Sequence, residues 1–118
     1  MPTALITGAS RGIGRAAAKL FSESGWDLLL TSRDEVSLEQ LVNDLKSSGS
    51  TIFFKSIDFN DPASIDDGLN ELLGNGLSPS VLINNAGVAW TGDLLSMSLQ
   101  RWQWLFQLNL TSIFQVCA

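Results

Sequence analysis

The sequence has no histidine, no tyrosine and a single cysteine, Cys117. One cysteine forms no internal disulfide, and one thiol without any imidazole leaves too few ligands for a zinc site, so no metal is expected. Cations are scarce as well: 7 Lys+Arg stand against 12 Asp+Glu, a formal net charge of −5. Such an acidic surface argues against nucleic acid as a partner, because phosphate backbones need a basic face. No apolar run approaches the ~18–20 residues of a membrane-spanning helix. The opening Met-Pro-Thr-Ala has neither the charged region nor the apolar region of a secretory signal. These absences lead to the expectation of a cytoplasmic protein that does not insert in a membrane. Repeats, low-complexity segments and linkers are also missing.

What is present is core material. Hydrophobic residues make up 45% of the 118 residues, too many for a disordered tail and enough for one domain or part of one. Strand and helix signals alternate along the chain. Thr3–Thr7 is a short apolar run that stops at glycine, the mark of a buried strand. Ile13, Ala16, Ala17, Leu20 and Phe21 follow at the spacing of one helix face, and Gly25 ends that helix. Leu28–Thr31 is the next strand. Leu38, Leu41, Val42 and Leu45 mark a second helix, stopped by Gly49. Thr51–Ile57 is rich in β-branched and aromatic residues and predicts a third strand. Asp61-Pro62 is a helix start, with a carboxylate cap and a proline in the first turn. Ile65, Leu69, Leu72 and Leu73 give that helix its apolar face; Gly74 and Gly76 break it. Val81–Ile83 predicts a fourth strand, and Ser98 opens a last helix running to the chain end.

Continuous apolar strands alternating with amphipathic helices imply a parallel sheet covered on both faces. With right-handed crossovers, β-α-β-α-β-α-β-α is the N-terminal half of a Rossmann-like doubly wound α/β fold. The rival is a complete small flavodoxin-like domain, which would want a fifth strand.

The strongest local signal is Thr7-Gly8-Ala9-Ser10-Arg11-Gly12-Ile13-Gly14, placed where a strand hands over to a helix. A phosphate is bound by backbone N–H groups and the positive end of a helix, and side chains in the turn would hold the anion away. Gly8 permits a tight turn, Gly12 lets the backbone approach a pyrophosphate, and Gly14 lets helix pack closely on strand. The spacing is neither G-x-G-x-x-G nor a Walker A, which would end in Gly-Lys-Ser/Thr. The competing reading is a strand–helix turn that merely needs glycine; the flanking strand and amphipathic helix weigh against it.

This turn resembles the cofactor turn of the short-chain dehydrogenase/reductase family. Three further motifs of that family follow in its order and spacing: Asp58 after the third strand, Asn84-Asn85-Ala86-Gly87 after the fourth, and Asn109 in the last helix. The resemblance covers essentially the whole chain. It implies an oxidoreductase that moves a hydride between nicotinamide and a carbonyl or alcohol carbon, and it implies roles for these residues. The glycine turn, with Ser10, Arg11 and Ile13, would hold the dinucleotide phosphates. Asp58 would accept from the adenine amino group while the Phe59 N–H donates beside it; the alternative is an Asx-type turn. A receiver-domain role for Asp58 is set aside, because Thr7-Gly8 stands where acidic magnesium ligands would be needed. Asn84-Asn85-Ala86-Gly87 would lie against the cofactor ribose while the amides tie neighbouring strands; the alternative is a purely structural turn. Asn109 would help hold a water and the catalytic lysine, an accessory role, or it is a core asparagine that kinks or caps the helix.

The second strand ends in Thr31-Ser32-Arg33. A free ribose 2′-hydroxyl asks for a carboxylate here and a 2′-phosphate asks for a cation. By resemblance, NAD-preferring members place aspartate where Ser32 stands. With Arg33 next to it and Arg11 in the turn, NADP(H) is expected over NAD(H), arginine's planar fork being suited to phosphate. The alternative is an exposed arginine beside Asp34 and Glu35. In the last helix, Trp102, Leu105, Phe106, Asn109, Ile113 and Val116 share one face, while Trp104 and Leu108 lie on another. In the family this helix contributes to a subunit interface, so a homo-oligomer through residues 98–118 is an open expectation.

The family's acid/base chemistry rests on a Tyr-x-x-x-Lys pair and a serine. This sequence has no tyrosine, and its last lysine is Lys55. The expectation is therefore a partial NAD(P)-binding domain over residues 1–118, a fragment without turnover by itself. The alternatives are a non-enzymatic dinucleotide-binding or assembly module and an inactive gene product. The fourth strand is expected to sit at an exposed sheet edge. The substrate, a small carbonyl or alcohol compound, is not legible.

Overall fold

A computed structural model of the chain describes residues 2–46, 49–74, 76–85, 98–100, 103 and 107. Seven elements alternate: β1 (Thr3–Ile6), α1 (Gly12–Glu23), β2 (Asp27–Ser32), α2 (Glu35–Leu45), β3 (Ile52–Ser56), α3 (Pro62–Leu73) and β4 (Val81–Ile83). Leu99, Gln100 and Gln103 are helical after Ser98, as expected of a last helix opening there. Trp102, Trp104 and Asn109 of the expected last helix, and the residues Ala86 and Gly87, lie outside the described residues.

The strands form one parallel sheet in the order β3-β2-β1-β4. That order reverses direction between β1 and β4, the arrangement expected of the first half of a doubly wound sheet. β1 is buried along its whole length and β2 from Leu28 onward, while β3 and β4, at the edges, are half-buried. The apolar runs of β1 and β2 are unbroken because each strand is covered from both sides.

Strand side chains alternate between the two faces. On one face Ala4, Ile6, Leu28 and Leu30 pack with Ala18 of α1 and with Leu38, Leu41, Val42 and Leu45 of α2. On the other, Leu5 and Leu29 pack with Ile57, Phe59, Ile65, Leu69 and Leu72, so α3 covers the opposite side. Two helices are capped by the residue just before them. Asp61 accepts from the Ala63 N–H, as Asp61-Pro62 predicted, and Asp34 accepts from the Ser37 N–H.

The expected core face of α1 is corrected. Ile13 and Leu20 are 77% and 65% exposed. The buried stripe is Gly14, Ala18 and Ser22, flanked by the half-buried Ala17 and Phe21. All three are small, and spaced four apart they let the helix axis come close to the sheet. A large residue on that stripe would hold the helix off, so the bulkier apolar residues turn outward. α3 uses the same device at Gly68, where an added Cβ would lie 2.5 Å from Cγ1 of the fully buried Ile57.

Candidate functional site

β1 delivers the chain to the carboxyl edge of the sheet, and the glycine turn begins there. Thr7 continues the strand pairing, its N–H donating to the Ile83 carbonyl at 3.0 Å. The chain then swings across β2, where the Ala9 N–H donates to the Thr31 carbonyl at 3.1 Å. Gly8 and Gly12 have φ of 64° and 61°, the left-handed region that glycine adopts without a Cβ penalty. At Gly12 an added Cβ would meet nothing within 4 Å, so the turn's backbone faces open space at that position.

Gly14 is required for a different reason. A Cβ there would lie 2.2 Å from the Gly8 carbonyl oxygen and 2.7 Å from Asn85 Nδ2. The helix therefore touches the turn that leads into it with no side chain between them. Asn85 completes the contact from β4's end. Its Nδ2 donates to the Gly8 carbonyl at 3.1 Å and its N–H to Thr7 Oγ1 at 3.0 Å. Asn85 thus ties β4 to the glycine turn. Asn84, next to it, is exposed.

The electrostatics of the turn favour an anion. α1 begins at Gly12 with Arg11 in the N-cap position; the Arg11 side chain makes no capping hydrogen bond, and the first turn holds no acidic residue. The amides of a first helical turn have no partner within the helix, and the helix dipole makes that end positive. Arg11 and Arg33 are both exposed, and neither has an ion-pair partner among the described residues; the ion pairs found there are Arg15–Asp44 and Lys55–Glu71. Arg11 is near enough to Asp34 to add a minor part to the lowering of that carboxyl's pKa, which comes chiefly from the Ser37 hydroxyl and the Ser37 N–H. Ser10 is 7% exposed and Ser32 6%, and their hydroxyl oxygens are 2.6 Å apart.

Asp58 stands at the same edge, after β3. Its Oδ1 accepts from the Asn60 N–H at 2.9 Å, so the Asx-type turn weighed from sequence is present. The carboxylate is nevertheless exposed. Phe59 is 5% exposed and packs with Ile57, Ile65 and Leu69, while its carbonyl accepts from Gln107 Nε2 at 3.2 Å. A neighbouring open hollow of about 400 Å³ is lined by Asn60, Gln100, Gln103 and Gln107. Its one trace in the sequence is the i, i+3, i+7 spacing of the glutamines.

The turn, Ser10, Ser32, Arg33, Asp58 and Asn85 all lie at or just after the carboxyl ends of neighbouring strands. In open α/β sheets that edge is where ligands sit. Over residues 2–118 the sequence matches the family model described as short chain dehydrogenase. The chain belongs to the short-chain dehydrogenase family. A 3-oxoacyl-[acyl-carrier-protein] reductase FabG of Chlamydia pneumoniae is 31% identical over 114 residues, covering 97% of this chain and 46% of that protein. The short-chain dehydrogenase of Sphingobium yanoikuyae solved in complex with NADPH superposes with a TM-score of 0.90 at 35% identity, covering 99% of this chain and 46% of that one. An alcohol dehydrogenase from the archaeon Thermococcus sibiricus, complexed with 5-hydroxy-NADP, gives a TM-score of 0.92 at 28% identity over 98% of this chain and 49% of that one. The chain spans about half the length of the short-chain dehydrogenases it matches. No described helix is long and apolar enough to cross a membrane.

Proposed function

We propose that residues 1–118 are the NADP(H)-binding portion of a cytoplasmic short-chain dehydrogenase acting on a carbonyl or alcohol substrate. The observation that carries this reading is the glycine turn: open space at Gly12, an α1 N-terminus whose N-cap side chain makes no capping bond, and a Gly14 contact so close that no side chain fits. A cradle of that shape and polarity accepts a diphosphate. Gly8, Gly12, Ile13 and Gly14 present their backbone to it. Arg11 and Arg33, exposed and without carboxylate partners among the described residues, receive the 2′-phosphate together with Ser10. Asp58 and Phe59 serve the adenine, and Asn84-Asn85-Ala86-Gly87 the ribose beside the sheet. Two solved relatives carry NADPH and 5-hydroxy-NADP, which supports the phosphorylated cofactor.

When bound, such a dinucleotide supplies or accepts a hydride at its nicotinamide. Residues 1–118 supply the binding half of that reaction. They contain no tyrosine to act as proton donor, and Asn109 is at most an accessory to that step. This polypeptide by itself therefore binds without turning over, and a homo-oligomer through residues 98–118 is part of the same reading.

Titration of the 118-residue chain with NADPH and with NADH, followed by tryptophan quenching, tests it. Saturable binding with NADPH the tighter ligand is expected, without oxidation of NADPH in the presence of ketones. Absence of saturable binding to either dinucleotide overturns the reading.

A further inference from the structure

The loop after β3 ties down its polar groups one after another. The Asp58 N–H donates to Ser64 Oγ at 3.1 Å, and the Asp58 carbonyl accepts from the Asp61 N–H at 3.1 Å. The Phe59 carbonyl accepts from Gln107 Nε2 at 3.2 Å, and the Asn60 N–H donates to Asp58 Oδ1 at 2.9 Å. Two neighbouring groups keep no partner among the described residues: the Phe59 N–H and Asp58 Oδ2. Backbone N–H groups of folded chains are nearly always paired with protein, water or ligand. This donor and this acceptor, side by side, are what the loop offers a ligand.

Gln107 enters the pattern through one peptide unit. The Phe59 carbonyl and the Asn60 N–H belong to the same planar trans peptide, so they point in opposite directions. Gln107 holds one end of that peptide and Asp58 Oδ1 holds the other. With both ends held, one carboxylate oxygen is committed and Oδ2 is the one left for a ligand. Without Gln107 the peptide is free to turn, the Asn60 N–H leaves the carboxylate, and Asp58 loses its fixed orientation. Hydrogen bonds in series of this kind also polarise one another.

We infer that Gln107 is a positioning residue for recognition of a 6-aminopurine: through the Phe59–Asn60 peptide it sets the Asp58 carboxylate as an acceptor beside the Phe59 donor. A 6-aminopurine presents an amino donor next to a ring-nitrogen acceptor, the complement of that pair. A 6-oxopurine presents an acceptor next to an N–H donor, a mismatch at both places. This rests on the reading of Asp58 and Phe59 given above and adds a residue that acts on the base through Asp58.

The test uses the whole 118-residue chain, titrated with NADPH and with its hypoxanthine analogue, with circular dichroism melting as the folding check. The readout is the ratio of the two dissociation constants. In the wild type the analogue is expected to bind at least about tenfold more weakly, because both hydrogen bonds are lost. Gln107→Met, similar in size and without an N–H at its tip, is expected to reduce that ratio by about threefold or more, mainly through weaker NADPH binding. Asp58→Asn is expected to reduce it at least as far. Adding Gln107→Met to Asp58→Asn should then change nothing more, because Gln107 acts through Asp58. A ratio unchanged in Gln107→Met, or a loss additive with Asp58→Asn, overturns the inference and leaves the NADP(H) reading standing. Should Gln107→Met fail to fold, Gln107→Glu carries the same expectation, and an unchanged ratio there overturns it equally. Equal wild-type affinities for the two dinucleotides overturn the placing of adenine on Asp58 and Phe59. A wild-type chain that binds neither overturns the NADP(H) reading itself.

Discussion

Replacing Gly14 by alanine measures how closely α1 approaches the glycine turn at Gly8. In an ordinary helix interior, Gly→Ala stabilises by about 1 kcal/mol. At Gly14 the new methyl would lie 2.2 Å from the Gly8 oxygen, 2.9 Å from the Gly8 carbonyl carbon and 2.7 Å from Asn85 Nδ2. Two of these atoms are backbone and cannot swing away, so the helix or the turn must shift, at the ~1–3 kcal/mol typical of overpacked sites. The Asn85–Gly8 hydrogen bond is displaced with them, a further loss of about 1 kcal/mol. The balance is a net destabilisation of about 1–3 kcal/mol. At about 4 °C per kcal/mol for a chain of this size, the melting temperature falls by ~4–12 °C. Gly12→Ala is the control, since its added methyl meets no atom within 4 Å and only the left-handed φ of 61° opposes it. Its loss should be about 1–2 kcal/mol. Thermal and urea unfolding of both variants, with NADPH titration, gives the comparison. A Gly14→Ala chain as stable as wild type would refute the close approach on which the cradle depends.

Two further outcomes follow from the same frame. Asn85→Ala removes the Nδ2 donor to Gly8. It should lower stability by about 1 kcal/mol and weaken dinucleotide binding, read by urea unfolding and fluorescence titration; unchanged stability and affinity together would contradict the tie. The Asp34 carboxyl is held below the usual carboxylate range, first by the Ser37 hydroxyl at 2.7 Å and then by the Ser37 N–H. A carboxyl lowered on folding contributes stability that is present above its unfolded pKa and lost as pH falls through the folded value. Ser37→Ala should therefore flatten the acid limb of the melting curve below about pH 4 and leave the slope between about pH 6 and pH 8 unchanged. Identical acid limbs would show that the cap carries no linkage.

Much of this was legible because glycine spacing and strand–helix alternation are local signals. Thr7 to Gly14 announced the turn, Asp61-Pro62 announced α3, and the unbroken apolar runs announced a sheet covered on both sides. The failures have a common cause. Periodicity shows that α1 has apolar residues on a stripe but not which stripe meets the sheet, and there the smallest residues won over Ile13 and Leu20. Asp34 was read as a neighbour of Arg33, whereas its work is to cap α2. Ser10 and Ser32 are 22 residues apart, and no pattern in the chain shows that their hydroxyls meet. Gln107 reaches back to Phe59 across 48 residues. Side-chain pairings of that range are decided by the fold.

The tie between Asn85 and the glycine turn also sets an order of events. The motif is encoded within the first fourteen residues, yet its clasp to Thr7 and Gly8 spans 78 and 77 positions. Closing so long a loop requires β2, β3 and their helices to be laid down first. During synthesis, the earliest-made part of the molecule thus waits for the last strand described, and a nascent chain shorter than residue 85 holds the motif without its clasp.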